Sequence, residues 1–553
     1  MNIIAKYGSG LVLSLICLSL AFGLGSCVKD RSTLPDSTSI PLVEIEEGEN
    51  KDLTVEYQGT LIVEPKVKAS ESTNLAYRWT LTTTSNPNKI DKDTISEAPI
   101  LDYVMKREKS TSPYTLTFTV IDKDHNNLEY STSWNVYVNG IIISGLVIAD
   151  TDDEGTTSNL SYIKSSHLSR TYSGEEKKMM HLFGSESHKK IQGSVSRLTY
   201  SIEGNSLFAY TPRLWTITKD GKVTLYEVDN DNFKVKHTSE DQSIFLYKSN
   251  PSSFKVHNLL VTGSLLSAYT SEGIYTLSPR SRTGQFSLPI SEKSNPSKGI
   301  IAGQSITSSK DDVACWYDED KGAFMTLTKT DNWGNVFGFG VFDSSNSFDP
   351  NNLHNHEALA IEIEDYSKPI SMYALLKNKG DGKHAIYEST LKIKKDEKGK
   401  AVGKYTFDEA GESTLKEAKS LFFAKKAKVL YAVTATDVFA FSFGGAQSVA
   451  KRSESLYKLP QGEKEFRFGK LFIQGEYSVE SQYLSMLKPK PAELPLNLQA
   501  IILVSGKTDN KNTIRIIPVD KEKLGTGTLV TEADKILTYD GFNKVLDVIH
   551  IGQ

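Results

Sequence analysis

The sequence predicts an all-β chain in which a two-sheet sandwich is followed by a β-propeller of about seven blades. Three observations lead there. Residues 42–140 run as short segments that alternate apolar and polar side chains and are rich in Thr, Val, Tyr and Trp, the composition of a half-buried sheet. Beyond Gly140 the character changes to longer hairpins that recur at irregular intervals to the end of the chain. Few stretches show the 3.6-residue period of an amphipathic helix. With 553 residues, the chain is too long for one compact core and suits several domains or one repeating architecture. Its formal net charge of −4 argues against a nucleic-acid partner, which would select a basic face.

At the amino terminus, a short and weakly positive start (Met1 to Lys6) precedes an apolar run from Leu11 to Leu24. That run is short for a bilayer span but fits the apolar region of a secretory signal. Leu24-Gly25-Ser26-Cys27 follows. The pattern resembles the bacterial lipobox, which implies cleavage before Cys27, a diacylglyceryl thioether on its sulfur, and a protein tethered by lipid. An ordinary cleaved signal with a chance cysteine is the alternative. On the lipobox reading, residues 1–26 are a signal peptide and 27–41 a flexible, polar, lipidated tether. Of the three cysteines, Cys17 leaves with the signal and Cys27 is acylated. Cys315 then stands alone, no intrachain disulfide can form, and burial must hold the fold. Flanked by Ala314 and Trp316, Cys315 reads as a packing residue.

Over residues 42–140 the predicted strands are Leu53–Tyr57, Leu61–Glu64, Leu75–Leu81, Tyr114–Ile121 and Trp134–Val138, separated by turn formers such as Asn86-Pro87-Asn88. Tyr77-Arg78-Trp79, followed some way on by Tyr114-Thr-Leu-Thr-Phe-Thr-Val-Ile-Asp122, resembles the polycystic-kidney-disease (PKD) type domain, an Ig-like sandwich. Thr82-Thr-Thr-Ser85 replaces the Gly-Asp-Gly usual in that family, so the match is to a PKD-like variant. Together with the lipobox, the arrangement resembles the PKD-like family lipoproteins that accompany SusC/SusD-type nutrient importers. The resemblance implies an outer-membrane, surface-facing accessory protein that assists glycan or peptide capture by a TonB-dependent importer.

In residues 141–553 the clearest hairpin is Leu214 to Tyr226, turned by Asp220-Gly221, a dipeptide that supplies the positive φ of a tight turn. Gly145–Ala149 with Leu160–Ile163 makes another. Leu266–Leu277, Ala314–Leu327, Ser371–Leu376 with His384–Ile393, Leu421–Val433, and Ala500–Val504 with Thr513–Ile517 follow. Hairpins repeated in this way predict a propeller of about seven blades, without a Trp-Asp repeat signature. Two stacked sandwiches fit the same pattern. The last strand, Lys544 to Ile551, is expected to pair into the first blade and close the ring.

Candidate chemistry is sparse. In His354-Asn-His356-Glu357 the second His of a zincin helix is missing, since Ala360 stands in its place. Asp150-Thr-Asp152-Asp153-Glu154-Gly155 opens like a calcium loop but has Ser161 at position twelve, and Asp122-Lys-Asp124 fails likewise at Ser133. No metal or cofactor is therefore expected. Asn332-Trp333-Gly-Asn335 is the most suggestive segment, because an aromatic face stacks on a sugar or side chain while amides both donate and accept. Phe337, Phe339 and Phe342 behind it, and Trp79, Trp134, Trp215 and Trp316 elsewhere, read as core. No nucleophile elbow, phosphate-binding loop or paired-cysteine metal spacing occurs, so no catalytic residue is nominated. A non-enzymatic binding subunit is the expectation. Alternatives are a propeller hydrolase or lyase, which would need a carboxylate pair in the central funnel, and an adhesion scaffold.

Overall fold

The computed structural model describes residues 43–46, 51–56, 60–70, 74–83, 92–107, 113–139, 144–152, 155–169, 172, 174–184, 189–204, 210–229, 232–239, 244–245, 253–262, 265–277, 285–286, 288–289, 296–304, 313–329, 336–339, 342–364, 370–391, 398–474 and 494–552. The chain divides into two compact units, one of Met1–Thr54, Thr60–Val104 and Ser110–Tyr137, the other of Val55–Gly59, Met105–Lys109 and Val138–Gln553.

The first unit holds a five-stranded antiparallel sheet in the order Asp52–Glu56, Leu128–Asn139, Tyr114–Asp122, Leu75–Thr83, Lys92–Ser96. Two short ladders, Val43–Glu46 with Lys66–Ala69 and Thr60–Val63 with Leu101–Val104, accompany it. Alternation decides which face is buried. Leu116, Phe118 and Val120 are fully buried, while Thr115, Thr117 and Ile121 are half-buried. Trp79 lies opposite Phe118 in the ladder, with ring centroids 4.4 Å apart, and its indole stacks on Trp134 at 5.9 Å. Its Nε1 donates to the Ala98 carbonyl at 2.9 Å, so the buried ring leaves no polar atom unpaired.

The second unit is a β-propeller. Its described residues form seven sheets of three to five strands, all but one of the pairings antiparallel. In chain order the innermost strands of the second to seventh sheets are Val195–Gly204, Val256–Thr262, Pro296–Gln304, His356–Ile363, Ser420–Phe423 and Glu463–Leu471. The first sheet takes its innermost strand from the chain end. Lys544–Ile551 pairs antiparallel with Gly145–Thr151, Gly145 opposite Ile551 and Ile148 opposite Val548. From the first sheet to the seventh each innermost strand packs beside the next, and Lys470 of the seventh reaches Asp547 of the first at 2.7 Å.

Burial explains why the strands are so apolar. Gly145–Thr151, Val313–Asp318 and Val429–Val433 are buried at every position, because each is sandwiched between two neighbouring sheets. Successive residues serve different cores. Val147 and Ala149 face the second sheet, while Leu146 and Ile148 face the seventh. Cys315 and Tyr317 join the core shared with the fifth sheet, and Ala314 and Trp316 the core shared with the third. The same holds for Leu430 and Ala432 against Val429, Tyr431 and Val433. Each of seven such cores spans two adjacent sheets, and the seventh-to-first core completes the circle.

The Tyr210–Thr218 and Val223–Asp229 hairpin turns as the Asp-Gly pair predicts, with Gly221 at φ 82°. A helix that the sequence did not suggest, Glu409–Glu417, is capped by Asp408, whose carboxylate accepts from Gly411 N at 2.7 Å. Among the described residues no helix is long and apolar enough to cross a membrane.

Candidate functional site

Polar side chains on the innermost strands, Arg197, Glu362 and His550, and just beyond them, Lys425 and Gln474, line a cavity of about 240 Å³. Each is held. Lys425 Nζ lies 3.5 Å from Glu362 Oε1, which also accepts from Ile363 N at 2.9 Å. Arg197 donates to Asn258 Oδ1 at 2.8 Å, and Asn258 in turn donates to Gly299 O at 2.8 Å, so second, third and fourth sheets are stitched together. Burial pulls the Arg197 pKa down and the nearby Asp547 charge raises it. Guanidinium stays charged under any such shift.

Asp547, in the closing strand, is the most heavily used group beside this cavity. Its Oδ2 accepts from Leu198 N at 2.8 Å and its Oδ1 from Val548 N at 2.9 Å and Lys470 Nζ at 2.7 Å. One carboxylate thereby links the seventh, first and second sheets. His550 Nε2 meets the Leu168 carbonyl at 2.8 Å, which requires it to donate. Burial pushes its pKa down to about 4, outweighing that hydrogen bond, so the ring is neutral at physiological pH. Chemically the cavity offers two cations, Arg197 and Lys425, an amide and a neutral imidazole, with one carboxylate, Glu362, among its described lining residues. This arrangement can hydrogen-bond a polar ligand. Asp547, beside the cavity, already accepts from three donors.

The residues singled out from sequence fall elsewhere. Cys27, Asn332, Trp333 and Asn335 lie outside the described residues. His356 and Glu357 open the strand His356–Ile363. The ladder there reaches back to His356, opposite Asn378. His356 Nδ1 lies 2.9 Å and 3.0 Å from the carbonyls of His354 and Leu353, and its Nε2 is 3.3 Å from the Tyr387 hydroxyl. Glu357 is shared by Lys298 at 3.1 Å and Lys377 at 3.6 Å; burial raises its pKa but these two cations bring it below the usual value. Asp150 is strand rather than loop, fully buried, and takes His181 Nε2 at 3.1 Å and Asn543 N at 3.2 Å. Burial raises its pKa against the pull of His181. Asp152 pairs with Lys190 at 2.8 Å. Asp122 accepts from Asp124 N at 3.0 Å and lies 2.9 Å from His125 Nδ1, as a turn-forming Asp does. Among the described residues no group of three metal-ligating side chains gathers. Trp79, Trp134, Trp215 and Trp316 are all buried, as is Phe342, and Cys315 is a buried free thiol whose pKa burial raises.

Sequence reasoning missed Arg197, Lys425, Gln474 and His550. One signal could have found part of the set, namely a charge inside an apolar run, as Glu362 stands in Ala-Ile-Glu-Ile and Asp547 in Val-Leu-Asp-Val-Ile.

No family model matches this chain, and no curated protein does. Among solved structures, a quinoprotein alcohol dehydrogenase-like protein from Bacteroides thetaiotaomicron is 12% identical, with 92% of this chain and 98% of that one aligned at a TM-score of 0.36. A six-bladed β-propeller lectin from Aleuria aurantia is 9% identical over 64% of this chain and 95% of its own, at a TM-score of 0.28. The propeller rests on the seven sheets and their shared cores, not on these likenesses.

Proposed function

We propose that this β-propeller chain is a lipid-anchored accessory or binding subunit of the outer membrane, held at the cell surface through Cys27 and assisting glycan or peptide capture by a SusC/SusD-like TonB-dependent importer. The observation that carries the binding half of this reading is the axial cavity, whose carboxylate is neutralised by Lys425 and whose neighbouring Asp547 is committed to three donors. Ion-paired and hydrogen-bonded groups of this kind suit the orientation of a polar ligand. The anchoring half rests on Leu24-Gly25-Ser26-Cys27. The PKD-like reading of the first unit rests on Trp79 paired opposite Phe118 of the Tyr114–Asp122 strand. On this reading that unit is a spacer or docking module. Tethering beside a transporter works by effective concentration, because a lipid-held binding face meets released ligand repeatedly at the point of uptake.

Two experiments test the halves separately. Cys27→Ala, followed by fatty-acid labelling and fractionation, should abolish labelling and release the protein from the envelope. Unchanged sedimentation with envelope material overturns the anchor. Native purification from detergent-solubilised outer membranes should recover importer subunits, and recovery of this chain alone overturns the accessory role. Hydrolysis or lytic cleavage of an offered polymer by the purified chain would instead select the enzyme alternative.

A further inference from the structure

Three consecutive innermost strands of the propeller carry a bulge near their starts. The ladder skips between Val195 and Arg197 in the second sheet, between Val256 and Asn258 in the third, and between Pro296 and Ile301 in the fourth. A bulge leaves its extra residue unpaired and re-aims it. Here the extra residues Ser196, His257, Lys298 and Gly299 all line one cleft of about 390 Å³, together with Lys219 and Lys255, within the ordinary range for small-ligand clefts of about 300–1,000 Å³. Bulges occur in other sheets as well, but these three lie on neighbouring strands and open onto a single space.

The backbone there is held in an uncommon conformation. Lys298 has φ 52° and Gly299 φ 67°, and a bulky non-glycine residue persists in the left-handed region only where its surroundings impose it. Those surroundings are visible: Asn258 Nδ2 donates to the Gly299 carbonyl at 2.8 Å, and a Cβ on Gly299 would come 3.1 Å from the His257 carbonyl. The rim is pinned likewise, with Val256 N donating to Gly221 O at 3.0 Å.

The charge of the cleft is one-sided. Lys219, Lys255 and Lys298 line it and no carboxylate does among the described residues. Lys298 is compensated by Glu357, which it shares with Lys377. In a chain whose formal net charge is −4, this is a local concentration of cations facing hydroxyl, imidazole and backbone groups. Ammonium groups act as point charges on flexible stems, suited to carboxylates or sulfates of variable placement. The wall has little apolar surface for a side chain to fill.

We propose that this cleft binds an acidic oligosaccharide, its carboxylate or sulfate groups held by Lys219 and Lys255 and its hydroxyls by the bulged residues. This deepens, and rests on, the capture function proposed above. The test is calorimetric titration of the purified full chain with a tetragalacturonate, a chondroitin sulfate tetrasaccharide, neutral cellotetraose and an oligoglutamate peptide, repeated with Lys219→Ala/Lys255→Ala and with the control Lys521→Ala. Expected is binding of one or both acidic saccharides, weakened about tenfold in the double variant, weakened by added salt, and unchanged in the control. Response to tetragalacturonate alone assigns carboxylate recognition, and response to the chondroitin fragment alone assigns sulfate. Equal affinity of wild type and double variant overturns the cleft. So does neutral saccharide binding as well as acidic, which leaves the capture function standing, and so does preference for oligoglutamate. Failure of every saccharide and peptide to bind overturns both readings.

Discussion

His550 shows how one buried side chain makes the closure of the propeller sensitive to pH. Its imidazole is 2% exposed and its pKa is pushed down to about 4 by burial, against about 6.5 in an unfolded chain. Between those values the unfolded state binds the proton and the folded state does not, so stability falls as pH drops from about 6.5 towards 4, by roughly 3 kcal/mol. Asp150 works in the opposite sense: burial raises its pKa, so the folded state gains relative stability as pH falls past the carboxylate range. Comparing His550→Gln with wild type isolates the first effect. Thermal midpoints at pH 7 and pH 4.5 should converge in the variant relative to the wild-type drop, and equal drops in both would contradict the assignment. Asp547 has a different kind of weight. In Asp547→Leu the amide of Leu198 loses its acceptor, and an orphaned buried donor costs about 1–3 kcal/mol. Loss of the Lys470 partner adds to this, and a denaturant midpoint shift measures the sum.

At the scale of the strand, the governing fact is burial on two faces. Where a strand is covered on one face it alternates, as Tyr114–Asp122 does in the first unit. Where it is covered on both the alternation of burial disappears, as in Ile370–Asn378, buried from Ile370 to Leu376. What such a strand conceals is which core each residue serves. Trp316 belongs to the third-to-fourth core, where Tyr269 meets it edge-on at 5.2 Å, and its neighbours Cys315 and Tyr317 do not. Trp316→Ala should cost about 3–5 kcal/mol in equilibrium unfolding, a loss that repacking from Cys315 cannot offset. The helix Glu409–Glu417 escaped prediction because one short helix among strands carries too few apolar positions to show a period; Gly411, Thr414 and Leu415 are the residues it buries.

Across the whole propeller, stability depends on completing the circle. Removing Lys544–Ile551 exposes the edge of Gly145–Thr151 and strips Val545, Val548 and Ile551 from two cores at once. Truncation after Asp540 should abolish the cooperative unfolding transition of the second unit in calorimetry, and an unchanged thermal midpoint would contradict a closed ring. The expectation of end-strand pairing came from an apolar terminal segment matched to an apolar opening one. By itself the sequence determined the all-β class, most of the strands, the Asp-Gly turn, the burial of Trp79, Trp134, Trp215 and Trp316 and that of the Cys315 thiol, because period, turn chemistry and hydrophobicity are local properties written in neighbouring residues. Tertiary structure alone decided that Arg197, Glu362 and Lys425 meet in one cavity with Asp547 near Arg197, and that three bulges open onto one cationic cleft. These residues are brought together by the ring, whose register and bulges depend on packing between strands hundreds of positions apart, and no local pattern encodes such distances.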